Sequence, residues 1–307
     1  MPEPKTRATF EMGFASILWG FGFIATIWAL PAIGPVWMTS LRFLFAVLML
    51  DVLFRAQGKA FEYRLKEWLS LMWPGFFLFG LLTLQTWGLK YTSATRSGFI
   101  TVLYVLFVPF LERIFLKLKI RKILWLWITL GLLGTLLICG ALTSVGFSGD
   151  FLKSFNLGDF LTLLCALCSA AHFIVVNKKM NVVDSPVKFH IYQSVWIVVF
   201  ATVLAIGVEG FGFIDRLREG AWTPIVWIGM AHLAFLSSGL AFLIQVRAQR
   251  FLTPSTVGLL LLLESVWAMT FSVLFLGEHL TALQIAGAGL ILVASLAESL
   301  TQAQGQS

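Results

Sequence analysis

Charge is what this sequence has least of. Asp, Glu, Lys and Arg together make up 12% of its 307 residues, against roughly 25% in soluble domains. With 59% hydrophobic residues and a mean hydropathy of +0.89, the apolar side chains outnumber what a single water-soluble core can hide. A soluble globular fold is excluded. Cysteine is scarce as well: Cys139, Cys165 and Cys168 all lie in apolar stretches, so there is no disulfide framework. The Cys165–Cys168 pair reads as small-residue packing rather than a metal site, because no second pair or His stands at ligand spacing. Also missing are an HExxH zinc motif, a GxSxG nucleophile elbow and paired Asp motifs, which argues against an integral-membrane hydrolase or transferase. No metal and no cofactor are expected.

What is present is a succession of apolar runs long enough to span a bilayer. They fall at 12–31, 35–54, 67–88, 93–115, 122–143, 158–178, 187–208, 222–246, 254–276 and 280–299, predicting an all-α integral membrane protein of ten transmembrane helices. Pro31, Gly34, Pro35, Gly146, Gly149, Pro186 and Pro254 punctuate the connections. The first run is too long for a signal-peptide core and is expected to be retained. A net charge of +7 would suggest nucleic acid in a soluble protein, but here the charges sit in short loops. With the N-terminus inside, most Lys and Arg are cytoplasmic, while Lys90, Lys153, Arg216 and Arg218 alone fall in outside loops. The positive-inside rule then places both termini in the cytoplasm.

The second half echoes the first. Gln85 aligns with Gln245, Thr95 with Ser255, Gly98 with Gly258, Leu103 with Leu263, and Phe115-Leu116 with Phe275-Leu276; earlier in the halves, Pro35 meets Pro186 and Arg42 meets Gln193. Two five-helix repeats, 1–145 and 146–307, follow. Because five is odd, the second must enter the membrane inverted, an architecture of secondary transporters with a substrate site near the midplane.

The stretch ILWGFGFIATIWAL with Arg42 beyond it, and above all LTPSTVGLLLLLESVWAMTFSVLFLGEHLTALQIAGAGLILVA, resemble the EamA branch of the drug/metabolite transporter superfamily. The resemblance covers nearly the whole chain. Its most specific segment maps onto Pro254, Glu264, Gly277, Glu278, Gln284 and Gly287. Two departures stand out: Ser265 follows Glu264 where the family often has Pro, so no kink is called for there, and Phe115-Leu116-Lys117-Leu118-Lys119 replaces a Gly-Glu ending in the first half. The resemblance implies an inner-membrane exporter of small metabolites with a cavity built from spans 1, 3, 4, 6, 8 and 9. Amino acids are the first substrate class and amphipathic cationic drugs the alternative, with proton coupling open.

Within such a cavity the side chains expected to meet substrate are Trp19, Gln85, Trp87, Arg96, Tyr104, His172, His232 and Glu264. Glu264 falls near the midplane, where a charge costs about 2.5 to 3.5 kcal/mol. It contacts a substrate ammonium, carries a coupling proton, or locks its helix to a neighbour through a hydrogen bond. His172 and His232 read as the two histidines deep in spans, each a path-lining imidazole or a packing residue. Aromatic walls stack on amphipathic ligands and attract ammonium groups. Arg42 and Arg96 are expected to snorkel toward the interface, unless one of them faces the cavity and holds a carboxylate by paired hydrogen bonds. Ser97, Thr101, Ser237 and Ser238 read as packing, and Trp68, Trp125 and Trp222 as interfacial.

Overall fold

The computed structural model describes residues 4–56, 58, 62–88, 90–92, 94–143, 146–147, 155–277 and 279–304; the side chains of 94–96, 99, 142–143, 146–147 and 302–304 lie outside that description. In chain order the helices are α1 (Pro4–Ala29), α2 (Pro35–Ala56), α3 (Leu65–Ser70), α4 (Met72–Gly88), α5 (Ala94–Val102), α6 (Tyr104–Leu111), α7 (Lys122–Ile138), α8 (Leu157–Lys179), α9 (Pro186–Val208), α10 (Gly212–Arg218), α11 (Pro224–Ala248), α12 (Pro254–Leu276) and α13 (Ala282–Gln304). A two-residue antiparallel pairing of Leu142–Thr143 with Gly146–Phe147 is the one strand pairing among the described residues. Seven of the helices, α1, α2, α8, α9, α11, α12 and α13, are long and apolar enough to cross a membrane.

The punctuation in the sequence sets the helix starts. Pro occupies the first helical position of α9, α11 and α12, where its missing N–H costs nothing. Ser185 and Thr253 cap α9 and α12 by accepting from the N–H groups of Val187 and Thr256, both at 3.3 Å. Asn156 and Asp159 form a reciprocal capping box at the start of α8, satisfying two donors a bilayer protein cannot leave bare. Gly277, at φ 69°, ends α12 in the left-handed region.

Two spans are interrupted without a Pro or Gly at the break. Between α5 and α6, Leu103 N donates to Ile100 O (3.2 Å) and Leu106 N to Leu103 O (3.0 Å). Within α12, Leu262 N donates to Leu259 O and Ser265 N to Leu262 O, both at 3.1 Å. These three-residue bonds tighten each helix for one turn. The α12 break lies just before Glu264, although Ser265 gives no signal for it. A different irregularity marks α11, where His232–Ala241 is wound as a π-helix.

The helices pack most extensively as α4 on α8, α7 on α13, α2 on α9, and α1 on α11 and α12. With lipid outside, this packing rests on close approach rather than on hydrophobic burial. The Gln-x-x-Gly of α13 serves that purpose: Gln284 Nε2 donates to Ile138 O (3.3 Å), and Gly287 lies so near α7 that an added Cβ would sit 2.5 Å from Gly134 O. Overpacking of this kind costs about 1 to 3 kcal/mol. Gly287→Val is therefore expected to lower the melting temperature of the purified protein by several degrees. Gly289→Val, where a Cβ meets nothing within 4 Å, should leave it unchanged; equal effects of the two would refute the close crossing.

Candidate functional site

At the centre of the bundle two chambers of about 90 and 110 Å3 share five lining residues, Trp19, Arg42, Leu82, Gln85 and Glu264. The smaller chamber extends toward the C-terminal end of α1 and is lined by Thr26, Thr39, Thr86 and Ser237 among others. The larger extends the opposite way, toward Thr101, Tyr104, Ser169, His172, Phe173, Phe242 and Gln245. Both breaks described above face this space, through Thr101 and Tyr104 on one side and Leu261 and Glu264 on the other.

Arg42 does not snorkel. It is 8% exposed, and its Nε and Nη2 donate to the hydroxyls of Ser238 (2.6 Å) and Ser237 (2.8 Å). The π-helical winding of α11 carries these two adjacent serines, which form a polar clasp rather than a packing surface. No carboxylate among the described residues lies within 4.0 Å of the guanidinium, so a buried cation is held by neutral groups while its remaining edge faces the chambers. Burial of a charge without a counter-charge is expensive, and such sites mark function in membrane proteins by default.

Glu264 is half-buried, lines both chambers, and makes no hydrogen bond or ion pair among the described residues. The helix-locking role would require such a bond. Trp19 meets Phe242 edge-on at 5.0 Å, and its indole N–H is buried without a partner. Tyr104 donates its hydroxyl to Gly258 O (3.3 Å) and packs edge-on against Phe173 at 5.6 Å. Gln85 Nε2 donates to Thr101 Oγ1 (3.4 Å).

His172 is 1% exposed and belongs to a chain of polar groups. His190 Nε2 lies 2.7 Å from Ser238 O, Gln193 Nε2 lies 2.9 Å from His190 Nδ1, and His172 Nε2 lies 3.4 Å from Gln193 Oε1. His190, fully buried in α9, corrects the reading that only His172 and His232 are deep histidines. Its signal in the sequence is the spacing of His190, Gln193 and Ser194 at i, i+3 and i+4, which puts three polar side chains on one helical face.

His232 and Trp87 are elsewhere. His232 donates from Nε2 to Leu18 O (2.9 Å) and packs on Phe21 at 4.6 Å, joining α11 to α1 without lining either chamber. Trp87 packs against a buried cluster that includes Trp37, Met38, Ala205 and Leu233. The side chain of Arg96 lies outside the described residues, as does Glu278.

Carboxylates tie both ends of the bundle. Near the chain termini, Glu112 accepts from Ser255 N (3.0 Å) and from the Ser255 hydroxyl, Glu298 accepts from Thr256 Oγ1 (2.7 Å) and pairs with Arg121, and Glu11 pairs with Arg247. At the other end, Glu209 accepts from Val36 N (2.9 Å) and Trp37 N (3.0 Å) at the start of α2. Negative charge at a helix N-terminus is favourable in both places.

A chain with this bundle and this cavity has known relatives. The sequence matches the EamA-like transporter family over residues 12–140 and again over 156–298. The chain belongs to that family. A protein of Archaeoglobus fulgidus named as an uncharacterized transporter is 29% identical over 300 residues, which cover 97% of this chain and 88% of its own. A protein of known crystal structure superposes with a TM-score of 0.76 at 17% identity, over 96% of this chain and 99% of its own, a likeness of fold alone. This EamA-like protein is thus a multi-pass membrane transporter. The cavity expected from spans 1, 3, 4, 6, 8 and 9 of such a protein also draws on α2, which contributes Arg42.

Proposed function

We propose that this EamA-like protein exports amino acids or closely similar zwitterionic metabolites across the inner membrane by alternating access. The observation that carries this reading is the shared ring of the two chambers, which holds one guanidinium and one carboxylate, neither paired with an opposite charge among the described residues. An α-amino acid supplies the two missing partners, a carboxylate for Arg42 by charge-assisted hydrogen bonds and an ammonium for Glu264. Trp19 adds an aromatic face that attracts the same ammonium.

In this reading the chain crosses the membrane ten times, as inverted repeats 1–145 and 146–307 with both termini cytoplasmic. Helix pairing supports the repeats: α1 on α11 has a counterpart in α4 on α8, α1 on α12 has one in α6 on α8, and α2–α9, α6–α12 and α7–α13 are self-paired. Interrupted helices at matched places, after Val102 and at Leu262, suit a midplane site between repeats. Glu264 is the group placed to couple export to protons.

The test is uptake of a radiolabelled amino-acid panel into proteoliposomes of the purified protein, with and without a proton gradient. Saturable uptake of some members is expected, with a response to the gradient. Panel-wide absence of uptake above empty liposomes, with accumulation of amphipathic cations instead, would replace amino acids by the drug-export alternative.

A further inference from the structure

Resting on that reading, a finer feature of the larger chamber bears on which substrates it takes. Beyond the shared ring, the hydroxyl donors of Tyr104 and Ser169 and one N–H of Gln245 are already committed. Tyr104 donates to Gly258 O (3.3 Å), Ser169 to Cys165 O (2.9 Å), and the Gln245 amide nitrogen to Gln249 Oε1 (3.4 Å). Thr101 accepts from Gln85. Tyr104 and Ser169 are thereby left with lone pairs to offer.

His172 completes the pattern through its tautomer. Ser238 O is a carbonyl and only accepts, so His190 carries its proton on Nε2. His190 Nδ1 then accepts from the Gln193 amide nitrogen, which turns Gln193 Oε1 toward His172 and requires the His172 proton on Nε2. The neutral ring is left with a lone pair on Nδ1, and that atom is buried with no partner among the described residues, on a residue that lines the chamber. An unmet acceptor in such a place is costly until something donates to it.

We propose that the larger chamber is a subsite for the tail of the substrate and selects tails that end in an N–H or O–H donor, an ammonium above all, with His172 Nδ1 as the accepting atom. The α-carboxylate and α-ammonium stay at Arg42 and Glu264, and the tail points toward His172. A site built to pair with a donor rejects the analogue lacking it far more strongly than a greasy pocket rejects a missing methylene.

The experiment is calorimetric titration of the purified full-length protein in detergent with L-lysine, L-norleucine and n-butylamine; lysine is norleucine with an ammonium added on the carbon that ends its side chain. Lysine is expected to bind at least about tenfold tighter than norleucine, as one charged hydrogen bond warrants. His172→Phe should bring the two within about twofold by weakening lysine alone, since the same bond is lost. His172→Asn, which offers a carbonyl acceptor, should restore much of the preference. Gln193→Met provides a second route if His172→Phe does not fold: releasing the tautomer should also shrink the preference. Equal binding of lysine and norleucine by the wild type overturns the proposal, as does a preference that survives both His172→Phe and Gln193→Met, or failure of both lysine and n-butylamine to bind. Binding of n-butylamine with none of either amino acid would leave the donor-reading subsite standing and remove the amino-acid reading instead.

Discussion

Arg42→Met is expected to reduce amino-acid uptake by proteoliposomes by about 100-fold or more while leaving the protein at least as stable as the wild type. The loss corresponds to roughly 2.7 kcal/mol, within the range of a hydrogen-bonded charge pair. The stability follows from the absence of a counter-charge among the described residues: a guanidinium that is 8% exposed and held by two serines carries a desolvation cost that an apolar chain of similar length avoids. A residue kept for packing would behave in the opposite way. Arg42→Lys should not rescue, because a single ammonium cannot reach both Ser237 and Ser238 and still present a fork to a carboxylate. Undiminished uptake by Arg42→Met would remove Arg42 from the binding site. A drop in melting temperature together with lost uptake would assign it to the structure.

Glu264→Gln separates charge from shape at the other pole of the cavity. Because the carboxylate has no hydrogen bond or ion pair among the described residues, expression and melting temperature are expected to stay at wild-type values. Uptake should fall about 100-fold, since an amide neither pairs with an ammonium nor exchanges a proton. Any residual uptake should no longer respond to an imposed proton gradient. Poor expression of Glu264→Gln would revive the helix-locking role, and full, gradient-dependent uptake would exclude Glu264 from coupling.

The two substitutions address residues whose legibility in the sequence was unequal. Glu264 stands out because an acid in the middle of an apolar span has few innocent explanations, and the surrounding Pro254, Gly277, Gln284 and Gly287 mark the segment further. Arg42 was ambiguous: a long cation in the outer third of a helix reaches the interface as easily as the interior. Which one it reaches depends on the neighbour it meets, here the Ser237-Ser238 pair on a π-helical turn of α11. No periodicity in the sequence announces that turn. Nor does the spacing separate Trp19, at the cavity, from Trp87, packed against the buried cluster that includes Trp37, since both are aromatic residues in equally apolar spans.

By itself the sequence determined the membrane class, the helical fold and the family, because those follow from length, apolarity and punctuation, which are properties of the chain read one residue after another. Helix starts marked by Pro or a capping residue came out within a few residues for the same reason, because such residues act locally, whereas α1 starts at Pro4 and not at 12. Tertiary structure alone decided the chemistry of the cavity. It brought Arg42 to two serines nearly two hundred residues away, set His190 between Ser238 and Gln193, and broke two spans where no Pro or Gly stands at the break. In a bilayer the backbone must satisfy itself and the helices must fit one another, so the direction a polar side chain faces is fixed by the helix packed against it.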